Sequence, residues 1–133
     1  RAEYWKGTQT ATASTSETPG LLLNEPYYIR EFDAAFLLFL QNIINSKHQI
    51  GIKYDWYDPN TKVSSHQIGK AATNFTPADI RYNTLGLGYI YYINDNLKVV
   101  LWYDHVKNEK TNLAGFTNDV DDNIFTCRLQ FRF

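Results

Sequence analysis

The side chains able to do chemistry here are three histidines, one cysteine, and thirteen Lys and Arg set against fourteen Asp and Glu. His48, His66 and His105 fall on separate stretches with no zinc-ligand spacing, so no metal site is expected. Asp119, Asp121 and Asn123 open like a calcium loop, but neither the glycine nor the distal glutamate follows; an acidic surface loop is the simpler reading. Cys127 has no partner for an internal disulfide and alternates with polar neighbours, as a small hydrophobe on an apolar face does. No Ser-His-Asp or Cys-His order, glycine-rich phosphate cradle or paired-carboxylate motif stands out, so neither catalysis nor a cofactor is expected. What remains is a set of charges at even spacings: Lys53 with Asp55, Lys98 with Asp104, and Arg128 with Arg132. In strands such spacing puts them on one face, where fixed charges bias which solutes pass along a wall.

The elements that must carry them read as strands. In the final stretch NIFTCRLQFRF, Phe125, Cys127, Leu129, Phe131 and Phe133 fall on one side and Thr126, Arg128, Gln130 and Arg132 on the other. Its length matches the roughly 9–11 residues of a tilted strand crossing a bilayer. Gln49 to Tyr57 sets Ile50, Ile52, Tyr54 and Trp56 against Gly51, Lys53, Asp55 and Tyr57. Arg81 to Ile93 sets Leu85, Leu87, Tyr89, Tyr91 and Ile93 against Thr84, Gly86, Gly88, Ile90 and Tyr92. Leu97 to Lys107 returns with Leu97, Val99, Leu101 and Tyr103 outward and Lys98, Val100, Trp102 and Asp104 inward. Tyr27 to Asn42 is ambiguous: Phe36, Leu37, Leu40, Ile43 and Ile44 also match one helical face, but the aromatic start and the strand that follows favour a strand. Arg1 to Thr10 reads as the tail of another. Long loops are expected near 11–26, 61–80 and 108–122, with short turns at 43–48 and 94–96.

A net charge of -1 singles out neither nucleic acid nor an anionic surface as partner. The chain is 16% aromatic and has a mean hydropathy of -0.42 despite 44% apolar residues. Its longest apolar run, Ala34 to Leu40, is far short of the ~20 residues of a spanning helix, and no signal-peptide core opens the chain. Long loops alternating with short turns, and aromatics gathered at strand ends, are the pattern of an antiparallel transmembrane β-barrel in a bacterial outer membrane. Tyr54, Trp56, Tyr89, Tyr91, Tyr103, Phe131 and Phe133 are then expected at the membrane interfaces, against outer-membrane lipid. A soluble sandwich also alternates, because one face of each sheet is buried and the other wet. Five or six strands are fewer than the roughly eight of the smallest membrane barrels, so residues 1–133 are expected to be the C-terminal portion of one larger barrel domain.

The strings KYDWYDPNTKVSSHQIG, ADIRYNTLGLGYIYYINDNLKVVLWYDH and DNIFTCRLQFRF, in that order, resemble the C-terminal third of the phosphate-selective porin O and P family, with the flavour of Bacteroidetes members; the likeness runs from about Tyr27 to Phe133. The resemblance implies an all-β barrel of about sixteen strands, commonly trimeric, passing small anions such as phosphate through a basic lumen. It also implies recognition by the barrel-assembly machinery through Phe133. On the alternation above, Lys53, Asp55, Lys98, Asp104, Arg128 and Arg132 are the expected pore-lining set, four cations offset by two carboxylates. The family's lysine and arginine ladders find no residue-by-residue match, and cross-strand ion pairing of Lys53 or Lys98 with Asp55 or Asp104 is an equal alternative to a role in conduction. The function expected is passive diffusion of small hydrophilic solutes; a non-channel barrel, or a secreted β-domain binding a ligand through its long loops, is the alternative.

Overall fold

The computed structural model describes residues 1–12, 27–73 and 75–133. Six strands follow one another: β1 (Ala2–Thr12), β2 (Tyr27–Ile43), β3 (His48–Asp58), β4 (Tyr82–Asn94), β5 (Leu97–Asn108) and β6 (Ile124–Phe131). They form one antiparallel sheet in the order β1-β2-β3-β4-β5-β6, each strand pairing only with its neighbours in sequence. No α-helix occurs among the described residues. The ambiguous segment is therefore a strand, and its apolar residues at helical spacing are divided between the two faces of the sheet. Most of the loop expected over 11–26 lies outside the described residues, and Ala11 and Thr12 extend β1, pairing with Tyr28 and Tyr27. The other two long loops run over 59–81 and 109–123, and the short turns join β2 to β3 and β4 to β5.

Register sorts the side chains into two faces, since directly paired residues share a side. One face carries rows such as Phe39, Ile52, Leu87, Tyr103, Phe125 and, next to it, Gln41, Ile50, Tyr89, Leu101, Cys127. Among the described residues nothing covers this face: Leu37, Phe39, Leu87 and Phe125 are 59%, 54%, 50% and 66% exposed. Apolar side chains left this open across a whole sheet need an apolar partner, which rules out a sheet wet on this side. The charges on this face keep to the loop end, where Lys6 pairs with Asp33, Thr8 with Glu31, and Asp33 with Asp58.

The opposite face differs from a simple polar wall. Lys53, Asp55, Lys98, Asp104 and Arg128 all lie on it, but so do Phe36, Leu38 and Leu40 of β2, because that strand is apolar on both sides between Ala34 and Leu40. Between Ala34 and Leu40 β2 therefore adds no charge to this face, its one charge there being Arg30 at the loop end, and the loop ends of β2 and β3 put carboxylates on the apolar face, contrary to a strict apolar-out, charged-in division.

The densest burial lies beyond the strands. The 59–81 and 109–123 loops share a core of Val63, Ile68 and Ile80, with Phe75, Tyr82, Leu113 and Phe116 packed on it. A single 3-10 turn, Pro77–Asp79, is closed by a capping box: the Thr76 side chain accepts from the Ala78 N–H at 3.2 Å, and the Asp79 carboxylate accepts from the Thr76 N–H at 3.0 Å. Asp79 is buried and also accepts from Asn60 Nδ2 at 2.9 Å, while Arg30 Nη1 stands 3.7 Å away and donates to the Ala78 carbonyl. These contacts tie the first loop to β2. Asn112, whose N–H donates to the Ile68 carbonyl at 3.0 Å and whose side chain donates to the His66 carbonyl at 2.7 Å, ties the two loops together.

Candidate functional site

The chemistry of the charged face is set by glycines. Lys53 of β3 stands opposite Gly86 of β4, which stands opposite Asp104 of β5. With no side chain between them, Lys53 Nζ reaches across β4 to within 3.5 Å of Asp104 Oδ1, while holding Asp55 Oδ2 of its own strand at 2.9 Å. A Cβ on Gly86 would meet Asp104 Oδ1 at 2.7 Å. One row toward the turns, Gly51 and Gly88 lie beside Trp102, and the indole rests on them: a Cβ on Gly88 would fall 2.0 Å from the ring. Trp102 Nε1 in turn donates to Asp104 Oδ1 at 2.8 Å. All three charged groups are partly exposed, so each pairing contributes about 0–1 kcal/mol. The trio carries one ammonium and two carboxylates, a net single negative charge.

The other cations expected on this wall stay apart from the trio. Lys98 Nζ sits 5.4 Å from the centre of the Tyr92 ring, a cation-π contact, and pairs with neither Asp55 nor Asp104. Arg128 stands opposite Val100, and Arg132 lies just past β6, its backbone N–H donating to the Asn96 carbonyl at 2.8 Å. Tyr92, Asp95, Lys98, Gln130 and Arg132 line a cavity of about 150 Å³ at the turn end. Charge on this face is thus divided along the strands, with Lys98, Arg128 and Arg132 toward the turns, an acidic excess at mid-height, and Arg30 at the loop end engaged by Asp79 and the Ala78 carbonyl.

The expected interface aromatics lie on the apolar face. Tyr54 and Trp56 stack toward the loops with ring centres 6.2 Å apart, and the Trp56 indole donates to Asp33 at 3.3 Å. Tyr89 and Tyr91 gather toward the turns around His48, whose Nδ1 lies 2.6 Å from the Tyr89 hydroxyl. Tyr103 and Phe131 share that face, and Phe133 stands beyond the last paired residue, fully exposed. The three histidines remain far apart: His105 pairs with the Asn123 side chain at 2.7 Å, and His66 sits in the loop core's rim. Asp119 and Asp121 hold the chain near the loop's ends, Asp119 accepting from the Asn108 N–H at 2.9 Å and Asp121 from Asn123 at 3.3 Å. No cluster of possible metal ligands forms among the described residues.

Alternation places Tyr57 on the charged face but leaves its row neighbours Trp5 and Ala34 unnoticed. Trp5, Ala34 and Tyr57 form one row across β1, β2 and β3 on the charged face. Trp5 and Phe36 have ring centres 5.6 Å apart, and Tyr57 accepts a hydrogen bond from Gln9 at 3.3 Å. The only available signal was the apolar character of Ala34 to Leu40 on both faces, which marks a strand unlike its neighbours.

Against known proteins, no curated protein and no solved structure matches the chain. The family model for phosphate-selective porin O and P matches residues 40–133, from the end of β2 through the C-terminal Phe. Porin membership points to a channel, not an enzyme, and implies embedding in a bacterial outer membrane and the passage of small solutes. A six-stranded antiparallel sheet with one face apolar except at its loop end fits that membership, and the chain belongs to the phosphate-selective porin O and P family.

Proposed function

We propose that this chain forms part of the wall of an outer-membrane porin through which small hydrophilic solutes, including anions such as phosphate, diffuse passively. The observation that carries the reading is the division of the sheet into an uncovered apolar face and a face bearing Lys53, Asp55, Lys98, Asp104 and Arg128. The first meets lipid and the second lines the lumen. Six strands with free edges at β1 and β6 leave backbone groups unpaired, which hydrocarbon does not tolerate, so further strands complete the barrel. In this reading Tyr54 and Trp56 face one membrane interface and Tyr91, Phe131 and Phe133 the other, with Tyr103 and Tyr89 leaning toward the first and the second from adjacent rows. Lys98, Arg128 and Arg132 draw anions toward the turn end, and the Lys53 trio offsets part of that bias at mid-height. Assembly as a homotrimer and recognition of Phe133 by the barrel-assembly machinery complete the proposal.

The test is the zero-current potential of the intact protein in a planar bilayer under a salt gradient, repeated with phosphate in place of chloride. An anion-selective current that phosphate reduces supports the reading in full. An unselective or cation-selective current keeps the porin and removes the phosphate preference. Verified insertion without current moves the reading to a non-channel barrel that binds through its long loops, which already share a core.

A further inference from the structure

Resting on the reading of the charged face as a lumen wall, we propose that the trough between Trp5 and Tyr57 is a binding subsite for a neutral, polyhydroxylated ring, that is, a sugar.

The geometry begins with the row Trp5, Ala34, Tyr57. Neighbouring strands are about 4.8 Å apart, so the backbones carrying the two rings lie about 10 Å apart with a methyl group between them. The Trp5 ring leans toward Phe36, 5.6 Å away, and the Tyr57 ring toward Phe32, 6.3 Å away, which leaves an open trough over the Ala34 methyl with an aromatic side chain on each flank. Trp5 is 44% exposed and Tyr57 41%, so both rings are open to the lumen side. The open groove around them has a volume of about 380 Å³ and is also lined by Phe36, Leu38, Lys53 and Asp55. That volume falls within the roughly 300–1,000 Å³ range of small-molecule sites, and an apolar lining with a few convergent polar groups is their usual composition.

The occupant follows from charge and hydrogen-bonding capacity. Lys53 is the groove's cation, and its ammonium is already shared between Asp55 and Asp104. A phosphate or carboxylate entering here meets two carboxylates and one committed ammonium, so an anion gains nothing. Phe36 is no free platform for a cation either, because the Arg1 guanidinium stands 5.5 Å from its ring centre. What the groove offers is a donor at Lys53 and acceptors at Asp55, with the Tyr57 hydroxyl able to serve as either. Sugar hydroxyls both donate and accept, and the C–H faces of a sugar ring are the apolar surface that packs on an aromatic ring. The site lies beside the Lys53 trio and away from the turn-end cations, so sugar and anion act at different heights of the wall.

The experiment uses the intact protein in detergent and in planar bilayers, with maltose as probe. In detergent, maltose is expected to change the intrinsic tryptophan fluorescence saturably. Trp5→Leu should weaken binding about tenfold, the scale of an aromatic contact with its buried area. Ala34→Leu, which fills the floor of the trough without touching a polar group, should abolish binding while leaving open-channel conductance to chloride measurable. Tyr57→Phe, which keeps the ring, should weaken binding less than either. In the bilayer, maltose should add saturable current noise that disappears in Ala34→Leu. Equal maltose binding by Ala34→Leu and the wild type, or no saturable binding by the wild type, overturns the subsite. Chloride current without any maltose effect removes the subsite and keeps the porin. Maltose binding lost in Ala34→Leu, with no current from inserted protein, keeps the subsite and removes the channel.

Discussion

Trp102 of β5 lies over Gly88 of β4, directly opposite it, so closely that a Cβ on the glycine would sit 2.0 Å from the indole ring. The ring can lie along the wall only because Gly51 and Gly88 have no side chains, and in that position its N–H reaches Asp104. Gly88→Ala should push Trp102 off the wall and break that bond, at the overpacking cost of about 1–3 kcal/mol. Urea unfolding of the folded protein in detergent measures it. A midpoint unchanged from wild type means the indole has another resting place.

Lys53→Met leaves Asp55 and Asp104 without their shared ammonium. A unit charge about 8 Å from a passing ion is worth roughly 0.5 kcal/mol in water, or about a twofold change in local ion concentration. The reversal potential should therefore move toward cation selectivity by that order, and the shift should shrink as ionic strength rises. Arg128→Ala with Arg132→Ala should shift it in the same direction. No shift in the double variant means these arginines lie off the conduction path.

Neighbouring positions on β6 offer a direct test of which face meets lipid. Cys127 lies on the apolar face, in a central row, and Thr126 on the charged one. Cys127→Lys should cost about 2–4 kcal/mol near the bilayer midplane, whereas Thr126→Lys should be tolerated. Folding titrations into lipid vesicles compare the two, and the reverse ranking would invert the barrel.

Gly69 has φ +79°, and a Cβ there would lie 2.3 Å from the Leu113 backbone nitrogen. Gly69→Ala should cost about 1–3 kcal/mol from backbone strain, with the clash added. Because Gly69 sits where the 59–81 and 109–123 loops meet, the expected readout is faster proteolysis within both loops, with the strands remaining protected. Cleavage confined to one loop would show that the two do not depend on each other.

The faces were legible from the sequence because a strand's period is two, and each of the strands from β3 to β6 keeps apolar and polar residues out of phase. That pattern places Lys53, Asp55, Lys98, Asp104 and Arg128 together without any knowledge of pairing. Pairing itself was not legible. Lys53 meets Asp104 only because a particular register brings Gly86 between them, and register depends on contacts between distant segments. The row of Trp5, Ala34 and Tyr57 joins three strands through two registers and was invisible for the same reason. β2 hid differently: with Ala34 to Leu40 apolar on both sides, its period is blurred, and a helical face fits nearly as well. In the long loops Ile68 and Ile80 carry no periodic signal, so their joint burial emerges only from the fold.

Every strand pairs with the one made immediately before or after it, so the sheet contains no ladder between distant strands among the described residues. The β2–β3 and β4–β5 hairpins close over short turns, with little loop entropy to overcome, and across the longer loops each next strand zips onto a template already in place. A growing wall of this kind presents a single new edge at each step. The order in which strands are delivered is then also the order in which they are sealed, and the chain can be fed into a membrane one hairpin at a time.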